Sequence, residues 1–155
     1  MSNEVISTAI LTIATVVLVM VMINAIYPEI ISAGASIRST TSTASERIGT
    51  DIRIIQVSNT TSNVTVWLKN VGRERIGALE LSDLFFGKEG DVRRVNYNQS
   101  LAGETWNYTL ENGGDTTWDP HETLRVTINK SITSGTYIVK FTVPNGIYTK
   151  ESFSV

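Results

Sequence analysis

From Val5 through Pro28 the chain carries no charged side chain: VISTAILTIATVVLVMVMINAIYP. Glu4 stands just before this run and Glu29 just after it. At 1.5 Å per residue, about 22 helical residues span ~33 Å, enough to cross a hydrocarbon core of ~30 Å. The run is longer than the apolar region of an ordinary secretory signal. No basic leader precedes it and no small-x-small cleavage site follows it, so a retained transmembrane or intermolecular helix is expected. Its Val and Ile content weakens a helix slightly in water. In lipid the backbone must satisfy itself, and a helix is the single-segment solution.

Small side chains at Ser7, Ala9, Ala14 and Ala25 offer places where a second helix could approach. A plain lipid-facing anchor is the alternative. Tyr27 stands where an interfacial aromatic belongs, and Pro28 predicts a kink or a boundary, because proline removes a backbone donor and crowds the preceding turn. Glu4 at the start of a helix is favourable for the dipole. Helical spacing resumes through Ile30, Ile31, Ala33, Ile37, Ala44 and Ile48. The Ser/Thr-rich stretch from Ser36 to Ser45 makes a poor isolated helix, so the stalk is expected to fray around Ser39 to Thr43.

From about Thr50 the period changes from helical to alternating. Asp51–Val57 and Val64–Lys69 read as strands separated by the turn cluster Asn59-Thr60-Thr61-Ser62. Further strands are predicted at Ile76–Leu81, Leu84–Gly87, Val92–Tyr97, Thr105–Leu110, Thr123–Ile128, Gly135–Val143 and Ile147–Val155. Asn145-Gly146 between the last two runs is a strong hairpin signal, and Pro144 before it ends the ladder. Short strands at roughly ten-residue intervals predict an all-β sandwich. Its inner faces can draw on Ile54, Val64, Val66, Leu68, Leu79, Leu81, Phe85, Val95, Trp106, Leu124, Val126, Ile128, Ile138 and Phe141 or their neighbours. The predicted division is a helix and stalk over 1–48 and a β-sandwich over 49–155.

A net charge of −2 supplies no basic field for nucleic acid. Arg73, Arg75, Arg93 and Arg94 read as solvated positions. Without cysteine there is no disulfide, thiolate metal site or Cys nucleophile. His121 is the single histidine; Asp115, Asp119 and Glu122 lie near it in a spacing that fits no calcium or zinc pattern. Trp118-Asp119-Pro120-His121-Glu122 reads instead as a turn entering a strand. Glu80 and Asp83 could form a carboxylate pair; as acids at a strand edge they read as solvated. No nucleophile elbow, P-loop or dinucleotide motif occurs, so no catalytic residue, metal or cofactor is assigned and the chain is read as a non-enzyme. Trp67, Trp106 and Trp118 could form a sugar platform if exposed together; core or interface roles are the expectation.

Orientation signals conflict. Arg38 and Arg47 on the carboxyl side favour a cytoplasmic head. The N-x-S/T sequons at Asn59, Asn63, Asn98, Asn107 and Asn129 favour an external one. About two or three such sequons arise by chance at this composition, so the excess is mild.

Several stretches resemble the archaellin-like proteins of the archaeal swimming apparatus. They are Asn3 to Ile10, Val66-Trp67-Leu68-Lys69-Asn70-Val71-Gly72, Asp83-Leu84-Phe85-Phe86-Gly87, Trp118-Asp119-Pro120 through Leu124, and Gly135 through Pro144-Asn145-Gly146. Within that superfamily the layout is similar to the accessory FlaG (ArlG) family. The resemblance implies an immunoglobulin-like sandwich behind a single-pass helix in the archaeal cell membrane, with the β domain outside. It implies self-association, a FlaF-like partner, contact with the surface layer, and a stator role. The alternative is an archaellin or type IV pilin-like subunit of an extracellular filament, its helix packed among other filament helices rather than in lipid. Subunits of that kind are made with a charged leader, and Met1-Ser2-Asn3-Glu4 shows none. Were the chain already processed, Glu4 could neutralise a neighbour's terminal amine.

Overall fold

The switch in periodicity near residue 50 is where the helix gives way to strands in the computed structural model, which describes residues 2–111 and 116–155. Contacts divide the chain into two units, Met1–Ala44 and Ser45–Val155.

The first unit is helix throughout its described length. Helix α1 runs Ser2–Gly49, with Glu4 in its first turn and Arg47 in its last, both favourably placed for the dipole. Neither expected interruption breaks it. Pro28 lies inside the helix, so Asn24 loses the backbone donor that residue 28 normally supplies, yet no boundary falls there. The Ser/Thr stretch is helical too. Its hydroxyls turn back onto carbonyls one turn earlier: Ser36 onto Ser32 at 3.1 Å, Thr40 onto Ser36 at 2.9 Å and Thr43 onto Ser39 at 3.1 Å. These bonds satisfy the polar groups whose competition for the backbone predicted fraying.

The second unit begins with the last turn of α1 and continues as eight strands. They are β1 Ile52–Asn59, β2 Asn63–Asn70, β3 Asp83–Lys88, β4 Asp91–Tyr97, β5 Thr105–Leu110, β6 Thr123–Asn129, β7 Thr136–Thr142 and β8 Tyr148–Ser154. Their order is β1-β2-β6-β5-β4-β3-β7-β8. All neighbouring pairs are antiparallel except β4 and β5, which meet in parallel through Asn96↔Thr105 and Tyr97↔Trp106. This short seam joins a β1-β2-β6-β5 layer to a β4-β3-β7-β8 layer, and the two close over one core as a near-barrel sandwich.

Alternation fixes which side chains fill the core. Val64, Val66 and Leu68 of β2, Leu124, Val126 and Ile128 of β6, and Tyr137, Val139 and Phe141 of β7 are buried. Trp106 is fully buried and meets Tyr97 and Phe141 edge-on, with ring centroids 5.1 and 5.6 Å away. Such aromatic pairs add ~0.5–1.5 kcal/mol each beyond their area.

Three local expectations fail. Ile76–Leu81 is not a strand: Ile76 makes an isolated bridge to Trp118, and Leu79–Leu81 is a 3-10 turn entered through Ala78 at φ 51°. The turn buries Leu79 and leaves Leu81 69% exposed. On β3 the inward ring is Phe86, not Phe85; consecutive aromatics leave parity undecided until cross-strand partners fix it. On β7, Ile138 faces out, because Tyr137, Val139 and Phe141 take the inner side.

The β7–β8 hairpin forms, with a different turn from the two-residue Asn-Gly type. The Gly146 amide donates to the Val143 carbonyl at 2.8 Å, and Val143 donates to Ile147 at 2.9 Å. Pro144 and Asn145 are therefore the central turn residues, and Gly146, at φ 87°, takes the left-handed position that completes a three-residue hairpin loop.

Candidate assembly surfaces

The helix is the first candidate surface. Val16 through Ile23 are all apolar and all exposed in the isolated chain, so no face of the helix is polar there. A helix apolar on every side belongs in lipid or inside a bundle. Exposing such side chains to water costs ~1.5–3 kcal/mol apiece. The hydroxyls earlier in the uncharged run are internally satisfied: Ser7 donates to the Asn3 carbonyl at 2.9 Å, Thr8 to Glu4 at 2.6 Å and Thr12 to Thr8 at 2.7 Å. Polar groups bonded in this way can enter an apolar phase.

Glu4, Ser7, Ala14, Tyr27 and Pro28 all lie on α1. At about 100° per residue, Glu4, Ser7 and Ala14 fall within ~80° of one another, while Tyr27 points ~140° from Glu4. They therefore do not form one cluster. Tyr27 instead belongs to a stripe with Val19, Met22, Ile23, Ile26 and Ile30.

The second candidate is the base of the β unit. Asn70 is fully buried and organises three segments. Its side-chain amide donates to the Glu74 carbonyl at 2.9 Å and the Trp118 carbonyl at 3.2 Å, and its Oδ1 accepts from the Gly72 amide at 3.1 Å. Gly72 has no room for a side chain; a Cβ there would lie 2.4 Å from the Gly49 carbonyl oxygen. Trp118, also fully buried, donates its indole N–H to the Glu122 carbonyl at 2.9 Å. The Asn-Val-Gly and Trp-Asp-Pro stretches thus meet in one hydrogen-bonded knot against the end of α1.

Burial of Trp106 and Trp118 overturns the sugar platform, leaving only Trp67 half-buried on an outer face. The arginine clusters are solvated ion pairs: Arg75 with Asp119 at 3.1 Å, Arg93 with Asp91 at 2.9 Å, and Arg94 with Asp83 at 2.6 Å. Glu80 and Asp83 therefore do not act together. His121 is exposed in a turn, at φ 67°, donating its amide to the Asn70 carbonyl at 2.7 Å. Asp115 lies outside the described residues. No group of metal-ligating side chains occurs among the described residues.

The sequons are spread over the β unit. Asn59 and Asn63 flank the β1–β2 turn, Asn59 exposed and Asn63 half-buried. Asn98 accepts from the Ser100 amide at 2.9 Å and hydroxyl at 2.8 Å. Asn107 donates to the Gln99 carbonyl at 3.4 Å, and Asn129 to the carbonyls of Leu101 and Gly103, both at 2.9 Å.

The archaeal-type flagellin family model matches residues 2–153, across both the helix and the β unit. The chain belongs to the archaeal-type flagellin family. A protein of Archaeoglobus fulgidus described only as uncharacterized is 36% identical over 165 aligned positions, covering 99% of each chain. Among solved structures, the archaellum periplasmic stator protein FlaG from Sulfolobus acidocaldarius is similar at 26% identity and a TM-score of 0.60, covering 67% of this chain and 99% of that one. A chain of the archaellum periplasmic stator protein complex FlaF and FlaG of that organism matches at 25% identity and a TM-score of 0.58, covering 66% of this chain and 87% of that one. Flagellin FlaB1 of Methanocaldococcus jannaschii shares the fold, at 16% identity and 0.58, covering 68% and 90%. This archaeal-type flagellin is a FlaG-like structural component of the archaellum.

Two features were missed from sequence. One is the knot around Asn70, whose only signal was that its segments carry the family resemblance. The other is an outer face on β3, β7 and β8, hidden by the Phe85-Phe86 parity.

Proposed function

We propose that this archaeal-type flagellin is a membrane-anchored accessory protein of the archaellum with a stator role, its β unit external and bound to a FlaF-like partner. The supporting observation is the pairing of a helix apolar on every face with a sandwich similar to periplasmic FlaG at 26% identity. A rotating filament needs a stationary body to take the reaction torque. A helix held in lipid supplies attachment, and the Asn70–Gly72–Trp118 knot makes a stiff base for the sandwich that grips the partner. In this reading Tyr27 lies at the membrane interface, and Glu4, Ser7 and Ala14 mark a face for helix association, including self-association. Contact with the surface layer passes through the external unit.

Gene deletion is the test. The accessory role requires cells that still secrete filaments but do not swim. Cells without filaments overturn it in favour of a filament subunit, the reading the family description also accommodates.

A further inference from the structure

The two outer faces of the sandwich differ in kind. On β2-β6-β5 the outward rows are polar: Thr65–Thr127–Asn107 and Trp67–Arg125–Thr109. Arg125 there is paired with Glu111 at 3.2 Å. On β4-β3-β7-β8 the middle row is Arg94–Phe85–Lys140–Lys150, flanked by Val92 and Ile138 on one side and Tyr148 on the other. Tyr148 is 59% exposed and Val92 38%. With Phe85 between them, these side chains make an apolar surface with cations in its middle.

The cations are unbalanced. Arg94 is paired with Asp83, but Lys140 and Lys150 have no ion-pair partner among the described residues. They are directly opposite each other in the β7–β8 register. Like charges in that position destabilise a sheet. Lys140 recovers part of this by lying over the Tyr148 ring at 4.3 Å and near the Phe85 ring at 5.8 Å. An aromatic floor with uncompensated ammonium groups is complementary to a segment carrying both apolar and carboxylate side chains.

We propose that the outer face of β4-β3-β7-β8 docks an acidic segment of a partner protein, carboxylates on Lys140 and Lys150 and apolar side chains on Phe85, Ile138 and Tyr148. A second copy of this chain using the same face is disfavoured, since a two-fold contact brings lysine rows against lysine rows. An anionic membrane is the weaker fit: surface-binding elements use many cations around protruding apolar groups, whereas this face has two unpaired lysines side by side on neighbouring strands. The inference is independent of the stator reading, because it requires only an acidic protein partner.

The test uses the full chain in neutral nanodiscs, titrated with a synthetic peptide of alternating glutamate and phenylalanine. Controls are the same peptide with lysine for glutamate, and phosphatidylglycerol vesicles. The acidic peptide is expected to bind saturably, with affinity falling steeply with added salt. The double variant K140E/K150E is expected to weaken binding at least tenfold, while K140R/K150R retains it and K69E, on the other face, leaves it unchanged. The single variant K140E exchanges the cation–ring contact for an opposite-charge pair with Lys150 and should bind more weakly than the parent. No acidic-peptide binding, equal binding of the lysine peptide, or binding of vesicles alone overturns the proposal.

Discussion

The side-chain amide of Asn145 donates to the hydroxyl of Thr50 at 2.8 Å, joining positions 95 apart in sequence. Thr50 in turn donates to the Glu46 carbonyl at 2.7 Å. Asn145 also accepts from the Ile147 amide at 3.1 Å, so one residue both shapes the β7–β8 turn and ties it to the last turn of α1. Replacing Asn145 by Ala removes both bonds. A net hydrogen bond contributes ~0.5–1.5 kcal/mol, so a loss of about 1–2 kcal/mol is expected in denaturant unfolding followed by tryptophan fluorescence. Thr50→Val also removes two bonds, the one from Asn145 and the one to Glu46, so a similar loss is expected. A neutral effect of either variant would contradict this tie.

The sequence was most legible where alternation was clean. β2 and β6 read correctly because Val64/Val66/Leu68 and Leu124/Val126/Ile128 leave one register that buries them all, whereas on β7 Ile138 was expected inside and Tyr137, Val139 and Phe141 take that side. It was least legible where local and tertiary signals compete. Ile76 to Leu81 carries strand-like spacing, but Ala78 in the left-handed region and the Trp118 bridge convert it to a turn. Phe85-Phe86 offers two equivalent rings, and only the β3–β7 register, which sets Phe86 opposite buried Val139, puts Phe86 inside. The assembly surfaces were half visible. An uncharged run declares an apolar destination by composition alone, whereas the Lys140–Lys150 opposition exists only once β7 and β8 are in register.

Anchoring depends on the absence of charge from Val5 through Pro28 of α1. Val17 is exposed in the middle of the run. A central Asp costs ~2.5–3.5 kcal/mol for insertion, so Val17→Asp should move the full chain from the membrane pellet toward the soluble or degraded fraction. Removing residues 1–44 should leave a chain, starting at Ser45, that is soluble and melts cooperatively. If that shortened chain is unfolded, the β unit depends on the helix and the two-part division fails.

Alkaline pH probes the seam between β4 and β5. Burial raises the pKa of Tyr108, with smaller contributions from Tyr97 and Glu80, above the ordinary tyrosine value of 10.0. Its ring packs 5.8 Å from Tyr97 and 6.4 Å from Trp106. The fold therefore favours the neutral phenol. That contribution is complete below the unfolded value and is lost as pH rises through the higher folded one. Tyr108→Phe should flatten the decline in stability above pH 10, with little change at neutrality. An unchanged alkaline slope would remove Tyr108 as its source.

Glycan attachment consumes the asparagine Nδ2, so the state of that nitrogen ranks the sequons for modification after folding. Asn129 has its Nδ2 committed to two carbonyls at 2.9 Å, holding the loop after β4 against β6. Asn107 donates more weakly, at 3.4 Å, and Asn98 uses Oδ1 to bind its own sequon serine. Asn59 is exposed at the end of β1, and none of the described side-chain bonds engages it. With the β unit external, mass spectrometry of the native protein should find Asn59 the most heavily occupied and Asn129 bare. Asn129→Asp should lower stability by about 1 kcal/mol, since it removes two donated bonds, one part-buried and one exposed, from facing carbonyls, whereas Asn59→Asp should change occupancy and leave the melt unaltered. A glycan found on Asn129 would mean that modification precedes folding of the β5–β6 region, and the ranking by free Nδ2 would then not hold.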